Sequence, residues 1–315
     1  VTEAPRVLVI TMLDDDASGD AGEARRWATG LTRSIPVPGL PAHAPEVRLD
    51  DRGLALVTTG MGEAGIAASL SALIHGGLFD LTSTYLLIAG ICGIDPAQGT
   101  VGTVVWTDFA VHGGLAHHID AREIPADWPS GYVALGADRP GVLPGIRLTV
   151  GNEVFQLNAD LVRAAYEITA DTELADDTEA RELRAGFPAA PANAAPAVRI
   201  GSSLSDNTFW AGALLNARAR QWVNMFTEGR GTYCTTQMED NGALLVLRRA
   251  ADAGLLNFDR IAILRSGSNF DQPAPGGRPQ DDFAEYRGWA VGAENAYRVG
   301  SRFADHILTH WDDWS

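Results

Sequence analysis

The sequence predicts an α/β protein in which strands alternate with helices around a wound sheet. Apolar, β-branched runs recur along the chain, and stretches of helical composition separate them. Glycine or polar clusters follow several of these runs, the position where open α/β sheets gather ligands. The first run, RVLVITM at 6–12, reads as a buried strand and leads into Asp14, Asp15 and Asp16. Residues 34–48 hold four prolines and read as loop. LALVTT at 54–59 is a second strand; glycines at 60 and 62 then turn the chain into a helix over 63–75. A third strand over 84–91 ends in Gly90-Ile91-Cys92-Gly93, and a fourth covers 101–107.

The middle of the chain is richer in Ala, Asp, Glu and Pro. An acidic helix is expected over 171–185, followed by a surface excursion over 186–196 with three prolines. The sheet pattern resumes afterwards, so residues 170–196 are read as an excursion from one domain spanning 1–315. A strand is expected over 198–203, helices over 208–226 and 238–254, the latter stopped by Gly254, and a strand over 260–264. A long helix over 283–311 closes the chain, with Trp289, Ala293, Ala296 and Gly300 at helical spacing.

Composition narrows the function. The chain has 315 residues and 46% apolar content, enough for a sizeable core. Its 24 basic residues are all arginine and face 40 acidic ones, a net charge of −16. This sign repels nucleic acid and anionic membranes. Without lysine there is neither a P-loop nor Schiff-base chemistry. The longest apolar stretch, residues 85–94, is half of what a spanning helix needs. Cys92 and Cys234 form no CxxC or zinc pattern and read as free buried thiols, with a disulfide as the alternative. The start at Val1 without methionine is consistent with removal of a signal peptide or of a tag; an exported, periplasmic or cell-surface protein is expected, and a cytoplasmic location stays open.

Four clusters carry candidate chemistry: TTGMG at 58–62, AGICG at 89–93, TTQMEDN at 235–241 and RSGSNFD at 265–271. The first joins a strand to a helix start, where free N–H groups bind anions or hydroxyls. Taken one at a time, each also reads as a tight turn or a cap.

Together, and in this order, they resemble the purine nucleoside permease family, whose members look like the nucleoside phosphorylase/nucleosidase superfamily. VITM at 9–12, TTGMG at 58–62, IAGICGIDP at 88–96, HIDAREIP at 118–125, GNEVFQLN at 151–158, TTQMEDNG at 235–242 and RSGSNFD at 265–271 carry the likeness over nearly the whole chain. It implies a three-layer αβα domain on a mixed sheet, a purine nucleoside or purine base as ligand, no cofactor, and assembly as a homo-oligomer. Met238 and Glu239 stand where the superfamily has a Met-Glu pair whose carboxylate accepts the ribose hydroxyls. A solvated Glu in a first helical turn is the plainer reading. Phe209, with Trp210 next, matches the aromatic that stacks on the base; an aromatic here also reads as core. Gly60, Met61, Gly90, Ile91 and Ser268 complete the expected binding wall.

At the base end, asparagine replaces the aspartate that methylthioadenosine nucleosidases use as general acid. Asn269 can donate a hydrogen bond to the leaving purine but cannot protonate it. Asp271, two places on, is able to protonate it if burial raises its pKa, or it caps a loop. At the other end, where phosphorylases hold phosphate with arginines, residues 11–16 and 85–89 contain none and three aspartates repel phosphate, although Arg25, Arg26 or Arg122 can reach the site from elsewhere. Asp15 or Asp16 is therefore the candidate base for water, an exposed acidic turn being the alternative. His112, His117 and His118 lack metal spacing and read as a pocket wall or a turn. The expectation is hydrolysis of the N-glycosidic bond; the alternative is nucleoside binding for uptake without turnover.

Overall fold

The computed structural model describes residues 2–13, 22–143, 151–283 and 287–315. Asp15 and Asp16 lie outside them. The element order is β1 (Val7–Thr11), α1 (Ala24–Ala28), β2 (Arg33–Pro36), β3 (Glu46–Leu49), β4 (Leu54–Thr58) and α2 (Gly62–His75). Next come β5 (Tyr85–Ile94), β6 (Val104–His112), the hairpin β7 (Ala116–His118) and β8 (Tyr132–Ala134), β9 (Val154–Gln156), α3 (Ala159–Thr169) and α4 (Thr178–Ala185). The chain closes with β10 (Val198–Ser205), α5 (Ala213–Phe226), β11 (Tyr233–Gln237), α6 (Asp240–Asp252), β12 (Ile261–Phe270), α7 (Trp289–Thr309) and the short α8 (Trp311–Trp314).

The central mixed sheet runs β11-β10-β6-β12-β5-β1-β4-β3-β2. Every residue of β1 and β4 is buried, the signature of parallel strands covered on both faces. Helices α2 and α6 pack on each other, as do α3 and α7, and α7 also lies along β5 and β12. The buried residues Ala296, Val299, Phe303 and Ile307 of α7 recur at three- and four-residue spacing, so one apolar stripe faces the sheet. The fold is the expected three-layer αβα arrangement.

Several expected elements differ in extent. Residues 34–48 carry two antiparallel strands rather than a loop, because β2 and β3 pair with each other and β3 extends the sheet from β4. A proline is tolerated in β2, which has β3 as its one neighbour, since an edge strand can spare a donor. Strand β5 does not stop at Ile91. It runs to Ile94, because β12 pairs with it throughout and β11 joins it at Gly93 and Ile94. Likewise β12 extends through Phe270, with a register shift between Gly267 and Asn269. The expected fourth strand starts three residues later and runs to His112. The helix expected over 208–226 begins at Ala213, so Phe209 and Trp210 sit on a loop. The acidic helix is shorter than expected and begins at Thr178, capped by Asp177.

Both cysteines are buried and unbridged. Burial pushes both thiols up, that of Cys234 to about 12, so neither is a thiolate at neutral pH. The native protein is expected to resist a thiol-alkylating reagent and to take up two equivalents once unfolded; rapid labelling of the folded chain would contradict this burial.

Candidate active site

The site forms where β1 leaves the sheet. Parallel pairing of β1 with β5 ends at Ile10 and Ile88. Beyond it, backbone N–H groups on both diverging strands need new partners, since a buried orphan donor is costly. One carboxylate supplies them. Glu23, just before α1, accepts from Met12 N at 2.8 Å and Leu13 N at 3.2 Å through Oε2, and from Ile91 N at 2.8 Å through Oε1. It is 4% exposed. Burial raises its pKa to about 7, against the opposing charge of Arg265 and the backbone hydrogen bonds from Ile91 and Met12.

Gly90 makes this approach possible. A Cβ there would fall 2.7 Å from Glu23 Oε1 and 2.8 Å from Arg265 Nη1. The glycine is thus required by space, not by turn geometry. Arg265, 1% exposed, comes from the middle of β12. Its Nη2 lies 3.2 Å from Glu239 Oε2 and 2.5 Å from Asp240 Oδ1, and its Nε donates to the same Oδ1 at 3.0 Å. Burial alone would lower its pKa; the charges of Asp240 and Glu239 outweigh it and hold the guanidinium firmly protonated.

The start of α6 is fixed by hydrogen bonds from neighbouring strands. Gln237 Oε1 accepts from the backbone N–H of Glu239 and of Asp240, capping the helix. Gln237 Nε2 donates to Ser203 Oγ and Ser205 Oγ, each at 2.8 Å. Ser203 Oγ in turn donates to Asp240 Oδ2 at 2.9 Å. With its backbone held this way, Glu239 turns Oε1 to Gly62 N at 3.0 Å. Gly62 has φ +78, so the turn into α2 takes glycine. Met61 beside it is 57% exposed, an unusual degree for methionine.

The 205–209 segment docks on the same helix start. Asn207 Oδ1 accepts from Glu63 N at 3.1 Å, and Asp206 Oδ1 accepts from Thr208 N at 2.9 Å. This leaves Phe209 44% exposed while Trp210 is buried with Val111, Leu204 and Trp222. Of the two aromatics, Phe209 is therefore the more exposed. His112 closes the wall. Its Nδ1 accepts from the N–H of Gly114 and of Leu115, so the ring hydrogen is on Nε2, 3.1 Å from Glu63 Oε2. Among the described residues no cluster holds a metal.

At the base end the structure separates two candidates. Asn269 is half-buried; its Nδ2 donates to Phe270 O at 2.9 Å and keeps a second hydrogen, and it flanks Gly93. Ser268 Oγ lies 3.2 Å from Asn269 Oδ1 and from Cys92 O. Asp271 has no exposed surface. Both its oxygens accept from Asn216 Nδ2, and Tyr233 OH donates to Oδ2 at 2.6 Å. Burial raises its pKa to about 7, but its oxygens are turned into the protein rather than toward a ligand.

The structure thus brings Gly90, Ile91 and Glu239 together around Glu23 and Arg265, with Gly62 on Glu239; Gly60 and Met61 belong to the turn that leads into Gly62, and Met238 is half-buried just past the end of β11. Sequence reasoning missed Glu23, Arg265 and Asp240 as site residues. Nothing marks Glu23 among 40 acidic residues. Arg265 and Asp240 sit inside quoted motifs, yet their pairing needs β12 beside the start of α6.

The three-layer αβα arrangement on a mixed sheet is the nucleoside phosphorylase/nucleosidase fold, which a solved structure shares. The 5′-methylthioadenosine/S-adenosylhomocysteine nucleosidase from Neisseria meningitidis, solved with methylthio-immucillin-A, aligns over 96% of this chain and 99% of its own, with TM-score 0.55 and 15% identity. The chain belongs to the purine nucleoside permease family, whose model matches residues 4–315. A probable purine nucleoside permease of Schizosaccharomyces pombe is 31% identical over 325 residues, 99% of this chain and 91% of the relative. The Candida albicans purine nucleoside permease is 33% identical over 90% of this chain and 71% of its own length. Among the described residues no helix is long and apolar enough to cross a membrane.

Proposed function

We propose that this protein binds a purine nucleoside and cleaves its N-glycosidic bond with water. The observation that carries the reading is Glu23, a buried carboxyl titrating near neutrality beside a second buried carboxylate, Glu239. Glu239 accepts the ribose diol, as a carboxylate suits two vicinal hydroxyls, and Met238 packs against the sugar. Phe209, the more exposed of the two aromatics, stacks on the base; such stacking is worth about 1–3 kcal/mol.

In the reaction, Glu23 removes a proton from water as its oxygen bonds to C1′ and the bond from C1′ to the purine nitrogen breaks. The electron pair of that bond leaves with the purine. Asn269 stabilises the charge by donating its second amide hydrogen, and solvent returns the proton. Asp271 supports Asn269 through the strand instead of protonating the base itself. The titratable base is Glu23 in this reading, in place of Asp15 or Asp16.

The test is incubation with adenosine, guanosine and inosine, with and without phosphate. Free base and free ribose in phosphate-free buffer are expected. Release that requires phosphate and yields ribose 1-phosphate would make the protein a phosphorylase. Nucleoside binding by calorimetry with no base released over hours would make it a binding component of uptake, the role in the family's name.

A further inference from the structure

We propose that Asp240 is a positioning residue: by pairing with Arg265 it holds that guanidinium between Glu23 and Glu239 and divides one cation among three carboxylates. The proposal rests on the reading of Glu23 as the base for water and explains how that carboxyl keeps its basicity beside a buried arginine.

The geometry is specific. Asp240 lies fully buried in the first turn of α6, with one oxygen on Arg265 and the other on Ser203 Oγ. Its backbone N–H is held by Gln237, so it cannot swing away. Arg265 reaches toward Glu23 with its remaining nitrogen: Nη1 is 3.3 Å from Ile91 O, and the space at Gly90 is bordered by Nη1 on one side and Glu23 Oε1 on the other. Glu239 takes Nη2 at 3.2 Å.

Among the described residues, the charges that act on Glu23 are Arg265 from β12 and Glu239 at the start of α6, with Asp240 behind them on Arg265. On its own helix, Arg25 is exposed and Arg26 is engaged by Glu294 and Tyr297 of α7. In a low-dielectric interior, each carboxylate that shares a cation weakens its hold on the others. Remove the charge of Asp240, and Arg265 turns more of its field on Glu23. The carboxyl then ionises earlier and becomes a poorer base.

The test is Asp240→Asn, which keeps the shape and removes the charge. Glu23 is followed through stability, without turnover. A carboxyl whose folded pKa is raised by burial contributes stability that is complete below its ordinary value and is lost as pH rises through about 7. The melting-temperature difference between the parent and Glu23→Gln across pH 4–9 isolates that contribution. In the Asp240→Asn background the midpoint of the same difference is expected to fall by about one pH unit or more, the scale of one nearby charge. An unchanged midpoint overturns the proposal. If Asp240→Asn does not fold, Glu239→Gln tests the shared cation in the same way: a lowered midpoint is expected, and an unchanged one overturns it. Because the readout needs no substrate, a shifted midpoint together with absent hydrolysis would leave the charge sharing intact and remove the catalytic reading alone.

Discussion

Replacing Glu23 by Gln is expected to cut purine nucleoside hydrolysis by about 10²–10⁴-fold, the range of a general base, while nucleoside affinity measured by calorimetry stays within about threefold. The glutamine has nearly the same shape and keeps an oxygen for the strand N–H groups, but it takes no proton from water. The pH profile supplies the second readout. Glu23 works as a base only when ionised, so kcat/KM should be low in acid, rise through about pH 7 and level off above it. The variant should lose that rise. Full activity in Glu23→Gln would remove Glu23 from the mechanism and return attention to other carboxylates.

Gly90→Ala is expected to be nearly as severe, for a different reason. The added methyl would stand 2.0 Å from Met12 Cε, 2.7 Å from Glu23 Oε1 and 2.8 Å from Arg265 Nη1. The methionine tip can yield. The carboxylate cannot, because three backbone N–H groups hold it, nor can the guanidinium, which Asp240 and Glu239 hold. Overpacking of this kind costs about 1–3 kcal/mol, and here it falls on the two groups that set the chemistry. A drop in melting temperature together with loss of hydrolysis is expected; a variant as active as the parent would mean that Glu23 and Arg265 need not meet.

Much of the fold was legible in the chain because its signals are local. The runs at 6–12 and 54–59 are mostly apolar and contain the fully buried β1 and β4. The helix expected over 63–75 differs by one residue at its start. Gly254 has φ +75 just past the end of α6, where a helix takes a left-handed residue to stop. Less was legible where partners decide. Residues 265–270 carry glycine, serine and asparagine and look like loop, yet they are strand because β5 and β6 supply hydrogen-bonding neighbours. The strands at 33–36 and 46–49 were hidden by prolines for the same reason.

The candidate site divides along the same line. Met61, Gly60 and Gly90 were singled out because glycine turns at strand ends are short-range patterns. Glu239, Asn269 and Phe209 came from the family likeness; the structure leaves Asn269 with a spare donor and Phe209 44% exposed. Asp271 looked like an acid by its place in RSGSNFD; its bonds to Asn216 and Tyr233 depend on α5 and β11 and turn it inward.

The sequence by itself determined the α/β class, the family, the exclusion of lysine chemistry and the residue types that line the site. Each follows from composition or from patterns a few residues long. Only the tertiary structure decided which carboxylates act as a group. Glu23, Glu239 and Asp240 are more than 200 residues apart at their extremes, and nothing local distinguishes them from other acidic side chains. What gathers them is one buried arginine, and burial there raises the pKa of Glu23; this surrounding exists only once β12, β5 and the start of α6 have come together.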